Sequence, residues 1–196
     1  MAENAEKRLR TRKKLKDALI ELCNEKPYYD ITVWDICNQA QTYRSTFYRY
    51  YETKDEVLRE IENEYIEDTR KLTQTIWNFH ADATPEEQEI YLQELTADMR
   101  YHWEHKEVCK FLLSPAGDIY FHSQMVESIG NTIKKNYQKH VIPKNFNTDF
   151  FLTFFAAGFV STIHEWLKKG NGTPEQVASF LLSMMKENWK LPQRTK

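Results

Sequence analysis

The chain has 196 residues, 41% hydrophobic and 14% aromatic, enough to bury a sizeable core and to exclude intrinsic disorder. Five glycines, six prolines and few β-branched runs point to an all-α protein. The net charge of −2 hides an asymmetry, because residues 1–54 carry +3 and residues 55–196 carry −5, as a local nucleic-acid contact on an acidic body requires. Cys23, Cys37 and Cys109 are odd in number and form no CxxC pair, which excludes a disulfide framework or zinc ribbon and predicts buried free thiols in a reducing compartment. The charged start "MAENAEKRLRTRKK" is followed by no signal-type apolar run. The most apolar stretch, "FFLTFFAAGFVSTIHEWL", holds polar residues and ends early, so a soluble cytoplasmic protein without a membrane span is expected.

Residues 7–25 read as a first helix, with Leu15, Ala18, Leu19 and Leu22 on one face and Pro27 as its stop. Thr32 and Asp35 form a capping-box pattern for a short second helix, "VWDICNQA". After "QTY", a third helix of similar length is predicted over "RSTFYRYY". Thr53 and Glu56 then open a long fourth helix with the seam Leu58, Ile61, Tyr65, Leu72 and Ile76. "TPEE" at 84–87 starts the next, with Leu92, Leu95, Met99 and His102 inward. "EVCKFLL" is short and stops at the turn "SPAGD". Residues 118–140 carry Val126, Ile129, Ile133 and Tyr137 on one side. A helix at 147–169 is apolar nearly all round and is predicted to be buried on several sides. The last, at 174–189, presents Val177, Phe180, Leu181 and Met184. The predicted domains are a three-helix head, 1–53, and a larger helical bundle, 54–196, with the fourth helix linking them.

"TYRSTFYRYYETKDEV", residues 42–57, crowds aromatic rings and charges into one short helix and a turn. Two short helices joined by a few residues, the second rich in Arg, Ser, Thr and Tyr, meet the needs of a helix-turn-helix. Arg44, Ser45 and Thr46 lie at the start of its second helix, where side chains reach base edges and Arg suits guanine. Tyr48, Arg49 and Tyr50 follow, while Phe47 and Tyr51, four apart, share a face that holds the helix to its support. Lys54 falls in the first turn of the fourth helix, where an anion is favoured. A tyrosine-rich core is the competing reading, and Arg44, Arg49 and Glu52 on the same short segment argue against it.

The run "ITVWDICNQAQTYRSTFYRYYETKDEVL", residues 31–58, resembles the tetracycline-repressor (TetR) family of bacterial transcription regulators, most specifically in "TFYRYY-TK-E". The resemblance implies about nine helices, with a DNA-binding head and a dimerising, ligand-holding body. It implies that Thr32 caps the second helix beside a phosphate and that Arg44, Ser45 and Arg49 face bases. Tyr48 would stand at the base–backbone boundary, and Tyr50 and Lys54 would contact phosphates. Trp34 either faces DNA or packs on the first helix. Two positions depart from the family pattern. Gln41 stands where Gly is common, at a turn that favours a left-handed residue, and Tyr43 stands where Ser or Thr caps the third helix. Tyr43 either leaves that cap unmade or reaches DNA itself.

For the body, the resemblance implies an effector pocket and a dimer four-helix bundle built from the last two helices. Polar or aromatic residues on apolar stripes are the pocket candidates: Met99, His102, Trp103, His122, Met125, Phe155 and His164. Ordinary core is the competing reading for each. Small residues that allow close helix approach, Ala157, Gly158 and Ser161, with Phe180 and Met184, are the dimer candidates. His102 and His105 beside Glu104 lack a third metal ligand at fixed spacing, so no metal is expected. No Gly-rich phosphate loop, GxSxG or HExxH occurs, so no catalytic residue and no cofactor are assigned. The expected partners are a double-stranded DNA operator, a second copy of the chain and a small-molecule effector. The function expected is a sequence-specific repressor released by that effector. The alternatives are an activator or co-activator, or a helical sensor or interaction protein whose head no longer binds specific DNA.

Overall fold

Helix α1, Ala2–Glu25, buries Leu15, Ala18, Leu19 and Leu22, the stripe that its 3.6-residue period dictates. At 24 residues it begins earlier than the hydrophobic period alone suggests, because charged residues extend it beyond the packed face. Pro27 follows its end, as the steric clash before proline requires. The computed structural model describes residues 2–78, 83–114, 117, 120–136 and 147–189. Among these residues it holds nine α-helices, two 3-10 turns and no strand. The described chain forms two compact units: residues 1–65 with 107–121, and residues 66–106 with 122–196.

In the first unit, a 3-10 turn at Tyr28–Asp30 leads to α2, Val33–Gln39. The Asp35 N–H donates to Thr32 Oγ1 at 3.2 Å and the Thr32 N–H donates to Asp35 Oδ2 at 2.7 Å, so the predicted capping box is complete. Helix α3, Arg44–Phe47, is one turn, shorter than "RSTFYRYY" suggests. Beyond Phe47 the chain tightens into shorter bonds, Arg49 N–H to Thr46 O at 3.2 Å and Tyr50 N–H to Phe47 O at 2.8 Å, as helix ends commonly do. Helix α4, Lys54–Leu72, buries Leu58, Ile61 and Tyr65. Its cap differs in one half from the expected box. The Glu56 N–H donates to Thr53 Oγ1 at 3.3 Å, but the Glu56 carboxylate accepts from the Glu52 N–H at 2.7 Å. Later in the chain this unit takes in α6, Lys106–Leu112, with Cys109, Phe111 and Leu112 buried. At Gly117 an added Cβ would collide with the Phe111 carbonyl, so glycine is required by space.

The second unit begins within α4 and continues through the 3-10 turn Ile76–Asn78, whose buried Ile76 was expected to prolong the α4 seam. The Glu94 carboxylate caps that turn, accepting from the N–H groups of Thr75 and Ile76 at 2.9 and 2.8 Å. Helix α5, Pro85–Glu104, starts on a complete Thr84–Glu87 capping box and packs on the last two helices. It buries Tyr91, Leu95, Asp98, Met99 and His102; Leu92, expected inward, is half-buried because Tyr91 takes that position. Helix α7, Phe121–Asn136, buries Ile133 and half-buries Val126 and Ile129, whereas Tyr137 lies outside the described residues. Helix α8, Thr148–Lys169, is capped by Asn147 and ended by Gly170 at φ 66°. It is long and apolar enough, by length and composition, to cross a membrane, yet Phe155, Phe159, Ile163 and Trp166 are buried within the protein. Helix α9, Pro174–Trp189, opens on a Thr173–Gln176 box.

Candidate nucleic-acid interface and effector cavity

The head surface is built on the turn between α2 and α3. Gln41 adopts φ 51°, the one non-glycine with positive φ among the described residues. Its N–H donates to Asn38 O at 3.1 Å and the Thr42 N–H donates to Cys37 O at 2.9 Å, the paired bonds of a Schellman helix end. The left-handed turn that the family pattern predicts is therefore present, carried by a residue with a Cβ. Tyr43 stands at the N-cap of α3 and its side chain makes no capping bond. It projects instead, 81% exposed.

The aromatic crowding then separates by face. Phe47 and Tyr51 are buried with ring centroids 5.8 Å apart, the anchoring pair that the four-residue spacing predicts. Tyr48 stands exposed, edge-on to Phe47, and its hydroxyl accepts from Arg44 Nη2 at 3.3 Å. Ser45 and Arg49 are exposed, and Thr46 and Tyr50 half-buried. Trp34 is 62% exposed, at the surface of the head. Tyr29, also exposed, was not singled out by sequence reasoning; nothing in its local pattern marks it.

Much of the basic charge that motivated the asymmetry is consumed inside the head. Arg12 and Lys16 of α1 both pair with Glu60 of α4, and Lys16 also pairs with Glu64. The Tyr51 hydroxyl donates to Glu60 Oε2 at 2.9 Å, locking the α3 anchor into the same network. Burial, opposed in part by Arg12, pushes the Tyr51 phenol up to about 12, so it stays a donor. Lys54, assigned by resemblance to a phosphate, has its ammonium on the carbonyls of Tyr28 and Ile31 at 2.7 Å each and of Tyr29 at 3.3 Å. It also lies 4.4 Å from the Tyr28 ring centroid. An ammonium has three donors, so this geometry makes Lys54 a brace between α4 and the turn before α2.

In the second unit a small cavity, open on one side, lies among Thr69, Arg70, Thr73, Trp77, Asp98, His102, Met125, Ser128, Ile129, Thr132, Phe159 and Ile163. Of the residues expected to hold a ligand, His102 and Met125 line it. Met99 is buried elsewhere in the core, Trp103 stacks on Trp166 at 5.5 Å, and Phe155 stacks on Phe151 at 6.3 Å. His122 lies 3.4 Å from Ser161 Oγ. His164, nearby, has its pKa lowered by burial and then by Lys168. His102 faces Asp98, whereas His105 stacks on Tyr101, so the two histidines serve different neighbours. The polar lining was missed, and its signal was present: Thr69–Thr73, Asp98–His102 and Ser128–Thr132 are polar pairs four apart on otherwise apolar stripes.

The dimer candidates form an apolar face on this unit. Gly158 and Ser161 are exposed and Ala157 half-buried on α8, and Phe180 and Met184 are exposed on α9. Phe150 and Phe154, overlooked in the sequence, continue the same α8 stripe at 76% and 75% exposure. The expectation that α8 is buried on several sides therefore fails among the described residues, because this side of the helix is exposed.

Residues 15–61 match the family described as bacterial regulatory proteins, tetR family, and residues 91–187 match a transcriptional regulator C-terminal region. The fold agrees. A TetR transcriptional regulator from Streptococcus agalactiae 2603V is 22% identical with a TM-score of 0.66, covering 94% of this chain and 98% of that one. The dihydroxyacetone kinase operon activator DhaS is 21% identical with a TM-score of 0.61, covering 92% and 96%. FadR from Thermus thermophilus, a TetR-family repressor in complex with lauroyl-CoA, is 17% identical with a TM-score of 0.51, covering 94% and 97%. Among curated proteins none matches the sequence. The helix-turn-helix head and helical body define a transcriptional regulator. The chain belongs to the TetR family.

Proposed function

We propose that the chain is a homodimeric, sequence-specific DNA-binding repressor whose second unit holds a small-molecule effector that releases it. The observation that carries the reading is the division of residues 43–51: Phe47 and Tyr51 are buried, and Tyr43, Arg44, Ser45, Tyr48 and Arg49 are exposed together. A core helix would not leave two guanidinium groups and two tyrosine rings in water, and a groove-reading helix needs them there. Arg44 and Arg49, with Ser45, are assigned to bases, and Tyr43, Tyr48, Tyr50, Thr32, Thr46 and Trp34 to the groove wall and backbone.

Selection of bound fragments from random DNA is the decisive experiment. It is expected to enrich a palindrome with half-sites one helical turn or a multiple apart. Arg44→Ala is expected to lose about tenfold or more in affinity for that sequence without loss of fold. Enrichment of no sequence would favour a sensor whose head has lost specific binding, and a site that raises transcription when occupied would favour an activator. For the dimer, Gly158→Trp is informative because a Cβ added at Gly158 meets nothing within 4 Å in this chain. The variant is expected to fold and to sediment as a monomer; a persisting dimer contradicts the α8–α9 interface.

A further inference from the structure

We propose that the effector is a small organic cation, a protonated primary amine on a short apolar body, whose ammonium sits on Asp98. This deepens the effector reading above and rests on it. Asp98 is 2% exposed, lines the cavity, and its Oδ1 has no hydrogen-bond partner among the described residues. Its other oxygen, Oδ2, lies 3.4 Å from His102 Nε2. A buried carboxylate oxygen without a donor costs free energy unless something supplies one.

Three of the four hydroxyls on the wall are already engaged as donors. Thr69 Oγ1 donates to Ile66 O at 3.0 Å, Thr73 Oγ1 to Thr69 O at 2.8 Å and Thr132 Oγ1 to Ser128 O at 2.8 Å. With those hydrogens engaged, the three oxygens offer only lone pairs. Arg70, the cation at the cavity, is held bidentately by Glu67 at 2.8 and 2.9 Å. The three threonine oxygens therefore face a ligand as acceptors. A ligand carboxylate or phosphate would meet a second carboxylate at Asp98. An ammonium brings three donors and a charge opposite to that of Asp98. Trp77 and Phe159, 5.3 Å apart between centroids, supply an apolar flank for the carbon chain.

The test compares n-butylamine, 1-butanol and butyrate, which share a body and differ in charge. Full-length protein carrying labelled methionine and isoleucine methyl groups is titrated at about pH 7, where a primary amine, like lysine, is protonated. Butylamine is expected to shift the Met125 and Ile163 methyl signals and to bind at least about tenfold more tightly than butanol. Asp98→Asn is expected to erase that preference, and Thr132→Val, which keeps shape and removes one acceptor, to weaken amine binding several-fold. Butanol or butyrate binding as tightly as the amine, or an Asp98→Asn protein that keeps the preference, overturns the cation and leaves an effector cavity. No methyl shift with any of the three overturns the cation and the cavity together, with water alone on Asp98. Fragment selection on DNA would still decide the regulator reading separately.

Discussion

The two units differ in the groups they leave exposed. In the head, several charges near the core are paired within the unit: Glu60 has Arg12 and Lys16, Asp35 has Lys26, and Lys54 has three carbonyls. On α3 and its flanks a set of rings and guanidinium groups is exposed together. In the body, Asp98 Oδ1 has no hydrogen-bond partner among the described residues, and Phe150, Phe154, Phe180 and Met184 are exposed. Exposed guanidinium and hydroxyl groups suit contact with base edges and phosphates. A unit with unsatisfied groups changes its energy when something covers them, and that suits a sensor.

The largest expected effect tests whether the head owes its surface to one anchor. Phe47 is fully buried behind the exposed residues. Phe47→Ala is expected to cost about 3–5 kcal/mol in denaturant unfolding and to abolish DNA binding with it. A loss below about 1 kcal/mol would mean that the site had collapsed onto the cavity and that Tyr51 alone holds α3. Next in size is Lys54. With its ammonium shared among carbonyls of Tyr28, Tyr29 and Ile31, Lys54→Ala is expected to lower stability by about 2 kcal/mol, in the range for hydrogen bonds to a charged group. The slope of binding affinity against salt should stay unchanged, because no counterion is released by a side chain that is turned inward. A slope shallower by about one unit would restore the phosphate role.

That case shows where the sequence was legible and where it was not. The capping box at Thr32 follows from local hydrogen-bond chemistry and is complete in the structure, whereas at Thr53 only the hydroxyl half forms. The split between Phe47–Tyr51 and Arg44–Tyr48 follows from helical period, and it too is present. Lys54 was placed by position on its own helix, but its partners lie more than twenty residues away, where no local pattern reaches. The cavity was harder for the same reason. Its polar wall is drawn from α4, α5 and α7, and only tertiary packing brings those helices to one space. Single residues chosen for being odd on an apolar stripe found His102 and Met125 and missed Asp98, which local charge made look like a solvated residue.

A smaller effect probes one of the head's paired charges through pH. The Thr32 hydroxyl, then the Thr32 N–H and Lys26, hold Asp35 down at about 2. Its ordinary unfolded value is about 3.9. A depressed folded pKa contributes stability that is fully present above the unfolded value and is lost as pH falls through the folded one. Wild type should therefore melt above Asp35→Asn by a constant margin from about pH 7 to 5, and the margin should close between about pH 4 and 2. A margin that persists at the acid end would show that the capping geometry, rather than the charge, provides the stability.

The smallest effect concerns the turn on which the reading surface rests. Gln41 holds φ 51° within a complete Schellman pair, a conformation that costs a residue with a Cβ and costs glycine nothing. Gln41→Gly relieves that strain but also loosens the unfolded chain, so the net gain is expected at only about 0.5–1 kcal/mol. DNA affinity separates two roles for the residue. If Gln41 serves only the backbone, Gln41→Gly should bind the selected sequence as wild type does while melting higher. If its exposed amide touches the DNA, stability will rise and affinity will fall. Tyr43→Ser is the matching control one step along, since serine supplies the absent α3 cap, worth about 1 kcal/mol, and removes an exposed ring. A more stable protein with weaker operator binding would mean that Tyr43 trades a helix cap for contact with the DNA.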